Sequence, residues 1–168
     1  ELLGEGGQGS VYKVLRRDRA SGLCQTVAAK ILHSKNAVDL WRREFESLAR
    51  VRSPYCVQVH AFERLEGRPA LILEYVEGLS LLQLARAGVL DSTDITELIA
   101  QIELALIDLH AQGLFHGDLS PANVLVDVHG SIRLLDFGLA NGTSSETIRL
   151  TPEFAAPERL EGEPAELA

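Results

Sequence analysis

The sequence predicts an α+β fold in two parts: a β-rich N-terminal lobe with one helix, then a mainly helical second lobe. Three observations lead there. The segments "SVYKVLRR" and "TVAAKIL" are rich in β-branched and aromatic residues and flank the turn-like "DRASGL". The character changes near residues 76–80, after "PALILEYV" and at "EGLS". Beyond that point lies the strongest helical pattern in the chain, "DSTDITELIAQIELALIDLHAQG".

Taken in order, the two N-terminal segments read as strands. Between Asn36 and about Val51 the pattern is helical, with Leu40, Trp41, Phe45, Leu48 and Val51 at spacings of three and four. "SPY" breaks it. "CVQVHAF" and "PALILEYV" read as a second strand pair joined by "ERLEGR". "SLLQLARAG" is a short helix stopped by Gly88. In the long helix, Ile95, Leu98, Ile99, Ile102, Leu106 and Leu109 form one apolar stripe, Asp94 with Glu97 resembles a capping box, and Gly113 is the expected stop. A loop, the strand "NVLVD", the turn "VHG" and the strand "SIRLLDFG" follow. The tail is an irregular Thr/Ser-rich segment.

The chain has 168 residues, which suits one domain, 1–168, divided as 1–75, a hinge at 76–79, and 80–168. A net charge of −8 argues against nucleic acid or an anionic membrane surface as a partner, because both call for a basic face. At 46% hydrophobic residues a real core is available. No apolar run is long enough to span a bilayer, and no signal peptide opens the chain. The opening residue is not Met, so a true N-terminus is expected upstream. Cys24 and Cys56 have neither metal spacing nor a CxxC arrangement; both read as inert packing residues, and a reducing cytoplasm is the simplest setting.

Several residues carry chemistry. "GEGGQGSV" places Gly4, Gly6, Gly9 and Val11 as GxGxxGxV, and such a turn lets backbone N–H groups approach phosphates. A dinucleotide fold would need a helix directly after the glycines, whereas "SVYKV" reads as a strand. A plain hairpin turn would also use glycines. Lys30 lies within the apolar "VAAKIL", and Glu44 on the following helix is its candidate partner; a solvated surface pair is the alternative. Asp118 and Asn123 stand five apart in "FHGDLSPANVLVD", and Asp136 follows thirteen later. One carboxylate can accept a hydroxyl proton, while the amide and the other carboxylate are hard oxygen ligands suited to Mg²⁺. His116 reads as a packing residue, with a base as the alternative.

The ordered combination is the specific signal: GxGxxGxV, VAAK, a helical Glu, HGDxxxxN, DFG and APE, each once. Essentially the whole chain resembles a eukaryotic-like protein kinase domain of serine/threonine type. The resemblance implies a bilobal kinase-like fold, with an antiparallel sheet plus one helix in the N-lobe and a mainly helical, incomplete C-lobe. ATP and Mg²⁺ are the implied cofactors and a protein hydroxyl the acceptor, the protein itself included. Gly4, Glu5, Gly6, Gly7, Gln8 and Gly9 would cover the phosphates. Lys30 would contact the α- and β-phosphates and pair with Glu44. Leu73 takes the gatekeeper position, Glu74 and Val76 would offer hinge backbone groups to adenine, and Val11, Ala28 and Leu125 would sandwich the ring. Asp118 would orient the acceptor, while Asn123 and Asp136 hold Mg²⁺. Val59, Leu48, His116 and Phe137 match stacked apolar positions.

Two departures stand out. Gly117 replaces the Arg that normally pairs with a phosphorylated activation segment, so Thr143, Ser144, Ser145 and Thr147 read as a solvated loop and not the main switch. Ser120 replaces a Lys that steadies the transferring phosphoryl charge, a contact of a kind worth a few kcal/mol. "LTPEFAAPE" resembles the serine/threonine pattern, and Thr151 would brace Asp118. Two alternatives follow: a pseudokinase or scaffold module that binds nucleotide, and a small-molecule phosphotransferase of the aminoglycoside or choline type, where HGD is usual. The HGD variant and an Ala/Leu/Gly-rich composition without Met look bacterial. The chain stops soon after Glu158, which implies a segment of a longer protein or a natural truncation, with room for fused regulatory domains. Without the helices that would complete the C-lobe, apolar surface of the 94–113 helix region is expected to be exposed.

Overall fold

In the computed structural model the described residues are 1–6, 9–17, 22–33, 42, 45, 46 and 48–135. They divide into two compact units: Glu1–Arg50 with Val57–Tyr75, and Val51–Cys56 with the residues from Val76 onward.

The first unit is an antiparallel five-stranded sheet. Its strands are β1 (Leu2–Glu5), β2 (Gly9–Arg17), β3 (Cys24–Leu32), β4 (Val59–Leu65) and β5 (Arg68–Glu74), in the order β1-β2-β3-β5-β4. Both strand pairs expected from the sequence are present. Side chains alternate across a sheet, and residues directly opposite share a face. One face holds the core cluster of Val27, Ala29 and Ile72, with Val14, Ala61 and Leu65 packed against it. Gly9 is required by a close approach: a Cβ there would lie 2.3 Å from the Ile31 carbonyl oxygen. Of the helix expected between residues 36 and 51, Arg42, Phe45, Glu46 and Leu48 are described and helical, and Ala49 N–H donates to the Phe45 carbonyl. Leu40, Trp41 and Glu44 lie outside the described residues. Phe45 stacks at 6.2 Å on Phe62 of β4.

The second unit has helices α1 (Leu81–Ala87) and α2 (Ser92–Ala111). It also has a three-stranded sheet, β6 (Gly78–Ser80), β7 (Val124–Asp127) and β8 (Ile132–Leu134), in that order. Helix α1 starts at a Ser80/Gln83 capping box and ends at left-handed Gly88, as expected. Helix α2 begins three residues earlier than its sequence signal suggested. Asp91 is the N-cap and Asp94 its box partner, because the Asp91 carboxylate accepts from Thr93 and Asp94 N–H. Gly113 adopts a left-handed φ of 71° and donates to the His110 carbonyl, closing the helix as expected. Leu98 and Leu109 of the apolar stripe are buried, whereas Ile95 and Ile99 are exposed.

Two glutamines on α2 and its C-cap tie irregular chain to the helix. Gln101 accepts from Ile132 N–H and donates to the Gly130 carbonyl, fixing the β7–β8 turn. Gln112 accepts from Arg52 N–H and donates to the Arg52 carbonyl, fixing the 51–56 segment. That segment continues into a bridge between Cys56 and Leu134, with Leu134 N–H donating to the Tyr55 carbonyl at 2.7 Å. Burial pushes the Cys56 thiol up to about 11, opposed by a hydrogen bond with Ser53, so it stays protonated and inert as expected. Cys24 departs from expectation: it is exposed at the start of β3, where the first three residues of the strand are all exposed whichever face they take.

Candidate active site

The sheet register of the first unit gathers the expected nucleotide-contacting residues. Val11 pairs with Lys30, Lys30 with Leu71, Ala28 with Leu73, and Leu73 with Val59. Val11, Ala28, Lys30 and Leu73 therefore share one face, opposite to the Val27/Ala29/Ile72 core. Lys13, across from Ala28, belongs to the same face, and its ammonium sits 4.4 Å from the centroid of the Tyr75 ring. Lys30 is a buried lysine at 5% exposure, flanked by a strand on each side. A cation in such a position is costly to hold without anionic or polar company. Its expected partner Glu44 lies outside the described residues.

The glycine segment is a hairpin between β1 and β2. Gly6 and Gly9 exchange backbone hydrogen bonds, N–H to carbonyl, at 3.0 and 3.3 Å. A Cβ on Gly4 or Gly6 would meet nothing within 4 Å, so the protein's own packing does not demand glycine at either place. Gly7 and Gln8 lie outside the described residues. Glu5 turns its carboxylate toward Ser10, and Ser10 also contacts His33. Sequence reading missed those two partners, because neither lies on a motif position. At the other end of the sheet, Glu74 N–H is taken by the Gln58 carbonyl, and the Glu74 carboxylate accepts from Gln58 N–H.

In the second unit, Asp118 and Asn123 are brought together. Pro121–Asn123 forms one 3₁₀ turn after Ser120, with Asn123 N–H donating to the Ser120 carbonyl. That turn swings the Asn123 side chain back. Its Nδ2 donates to the Asp118 carbonyl at 2.9 Å and to Asp118 Oδ2 at 3.2 Å. The amide is thereby oriented with both protons on Asp118, leaving Oδ1 as its acceptor. Leu135 N–H donates to the Asn123 carbonyl, so the residue preceding Asp136 is bound to the same loop. Asp136 itself, Phe137, Thr151 and the APE segment lie outside the described residues.

His116 is buried, and its Nδ1 accepts a long 3.4 Å contact from Asp118 N–H. Gly117 has a φ of 78°, a left-handed conformation that glycine adopts without strain. Ser120 is buried at 5% exposure. Val76 precedes β6, and Leu125 lies in β7 opposite Ser80 and Arg133.

The hard oxygens of Asn123 and the carboxylates suit Mg²⁺ in kind. Among the described residues no three His, Cys, Asp or Glu side chains gather into a metal cluster. No helix among them is long and apolar enough to cross a membrane.

With this geometry in view, the comparisons with known proteins decide the family. Residues 1–167 match the protein kinase domain. This chain belongs to the protein kinase family. It is 31% identical to a "Probable serine/threonine-protein kinase pknA2" of Bifidobacterium longum over 97% of the chain and 23% of that protein. It is 35% identical to CBL-interacting protein kinase 12 of rice over 92% of the chain and 31% of that protein. Ribosomal protein S6 kinase alpha-2 of Homo sapiens is 33% identical over 94% of the chain and 23% of its own length. The chain thus spans well under half the length of these relatives. The antiparallel sheet of the first unit, with the two helices of the second, accords with an incomplete bilobal kinase fold.

Proposed function

We propose that this chain is the catalytic segment of an ATP- and Mg²⁺-dependent serine/threonine protein kinase with an HGD catalytic loop. The lobes would be residues 1–75 and 80–168, joined by 76–79, with Val51–Cys56 of the first stretch packing in the second unit. The observation that carries the proposal is the Asn123 amide held on Asp118, an arrangement that would suit a proton acceptor beside a metal-binding amide oxygen.

The roles are those that membership of the family implies for these positions. Backbone N–H groups of residues 4–9 and the Lys30 ammonium would neutralise phosphate charge, with Glu44 holding Lys30. Val11, Ala28, Leu73 and Leu125 would offer apolar contacts to the base, and Glu74 and Val76 backbone polar groups. Asn123 and Asp136 would hold Mg²⁺, which supplies charge neutralisation at the phosphates. The acceptor oxygen attacks the γ-phosphorus in line, its proton passes to Asp118, and ADP leaves. The acceptor is a protein hydroxyl, and the bacterial relative together with the thiol usage favours a bacterial cytoplasmic setting.

The test is transfer of labelled γ-phosphate from Mg-ATP by the intact protein to itself and to protein, aminoglycoside and choline acceptors. Transfer to protein that Asp118→Asn abolishes supports the reading. Equal rates for wild type and Asp118→Asn overturn it. Transfer to the small molecules alone supports the phosphotransferase reading, and nucleotide binding without turnover supports the scaffold reading that Gly117 and Ser120 motivate.

A further inference from the structure

At the base of the glycine hairpin sits a polar chain that none of the motif roles uses. Glu5 and Ser10 are directly opposite one another, the last rung of β1 and β2 before the Gly6–Gly9 exchange. The Ser10 hydroxyl donates to Glu5 Oε1 at 3.4 Å and lies 3.2 Å from His33 Nε2, just past the end of β3. Ser10 has one hydroxyl proton. With that proton on Glu5, the His33 contact is a ring N–H donating to Ser10 Oγ. In that arrangement the order is imidazole to hydroxyl to carboxylate, with Glu5 Oε1 also 3.9 Å from the same Nε2.

This is not a nucleophile–base–acid relay. Such a relay needs the carboxylate on the imidazole nitrogen that faces away from the serine. Nor is it a strong stabiliser of the sheet, since Glu5 and His33 are largely exposed, at 65% and 41%, while Ser10 is buried. Its geometry suits another task. It joins both arms of the hairpin to the strand that carries Lys30. A hairpin fixed this way presents its N–H groups to phosphate with less ordering left for the moment of binding.

We propose that Ser10 is a positioning residue of the nucleotide site, holding the glycine hairpin to the end of β3 through Glu5 and His33. The inference rests on the kinase reading above and adds to it Ser10 and His33, to which that reading gives no role. Its consequence is selective: phosphate-dependent affinity depends on Ser10, and base-dependent affinity does not.

The experiment measures Mg-ATP and adenosine binding to the intact protein by calorimetry, for wild type, Ser10→Ala, Ser10→Thr and His33→Ala, with a urea midpoint for each. Ser10→Ala and His33→Ala raise the Kd for Mg-ATP about three- to tenfold, the scale of one or two modest hydrogen bonds. Adenosine affinity stays at the wild-type value, and Ser10→Thr, which keeps the hydroxyl, restores Mg-ATP binding. Turnover shows a matching rise in KM for ATP with kcat near wild type. Equal Mg-ATP affinity in wild type and both alanine variants overturns the inference, as does a parallel loss of adenosine affinity. A wild-type protein that binds no Mg-ATP overturns the nucleotide reading and this inference together. Wild-type binding with an indifferent Ser10 overturns this inference alone.

Discussion

Two glycines of one motif are held for different physical reasons, and alanine separates them. At Gly9 a Cβ would stand 2.3 Å from the Ile31 carbonyl oxygen, 3.1 Å from its carbon and 3.3 Å from the Leu32 Cα. All three are backbone atoms of β3, which cannot swing aside as a side chain would. Relief requires β2 to move away from β3 by roughly 1 Å, which strains the Gly9–Leu32 end of the ladder. Overpacking costs about 1–3 kcal/mol, and a weakened ladder bond about 1 kcal/mol. The restricted unfolded chain returns roughly 0.4–1 kcal/mol. Gly9→Ala should therefore destabilise by about 2 kcal/mol.

At Gly6 a Cβ meets nothing within 4 Å, and the residue lies outside the left-handed region. Gly6→Ala should leave the urea midpoint within about 0.5 kcal/mol of wild type. If phosphates approach this backbone, the added methyl group obstructs them, and Mg-ATP affinity falls while stability does not. The assay pairs urea denaturation with Mg-ATP calorimetry on the intact protein. A Gly9→Ala variant as stable as wild type, or a Gly6→Ala variant as destabilised as Gly9→Ala, would refute the reasoning.

Gly117→Ala forces a side chain into φ 78°. The penalty of about 1–2 kcal/mol, less the unfolded-state gain of roughly 0.4–1 kcal/mol, predicts a net loss near 1 kcal/mol by urea denaturation, and Gly117→Arg should match it. Asp127 titrates in the β7–β8 turn: partial burial pushes its carboxyl up, but N–H bonds from Ser131 and His129, with Arg133 nearby, hold it below the usual carboxylate value. A depressed folded value means its contribution is complete above the ordinary Asp range and is lost as pH falls through the lowered value. Amide exchange at Ser131 and His129 should accelerate across that acidic window, and Asp127→Asn should remove the pH dependence.

Much of the first unit was legible because its signals are local. Alternation and β-branching in "SVYKVLRR" and "TVAAKIL" are enough to place two strands, and Gly88 and Gly113 mark helix ends where left-handed backbone is needed. The Asp118–Asn123 pair was legible from spacing, since five residues suffice for one tight turn to fold the amide back on the carboxylate. The start of α2 was misplaced by three residues because "DSTD" contains two aspartates able to cap. Only the geometry tells which carboxylate accepts from the N–H groups. Ser10 with His33, Gln101 with the β7–β8 turn, and Gln112 with Arg52 were not legible. Each links residues 23 to 60 apart, and a single sequence holds no local record of such pairs.

The two departures in the 116–123 loop have local physical settings. Arg at 117 would occupy left-handed backbone that Gly117 takes without strain. Ser120 is buried beside a 3₁₀ turn whose first bond its own carbonyl accepts, so a lysine there would have to carry its charged head out to solvent. Neither change loosens the Asn123 amide from Asp118. Placing Arg at 117 therefore carries a folding cost from the left-handed backbone before any regulatory gain.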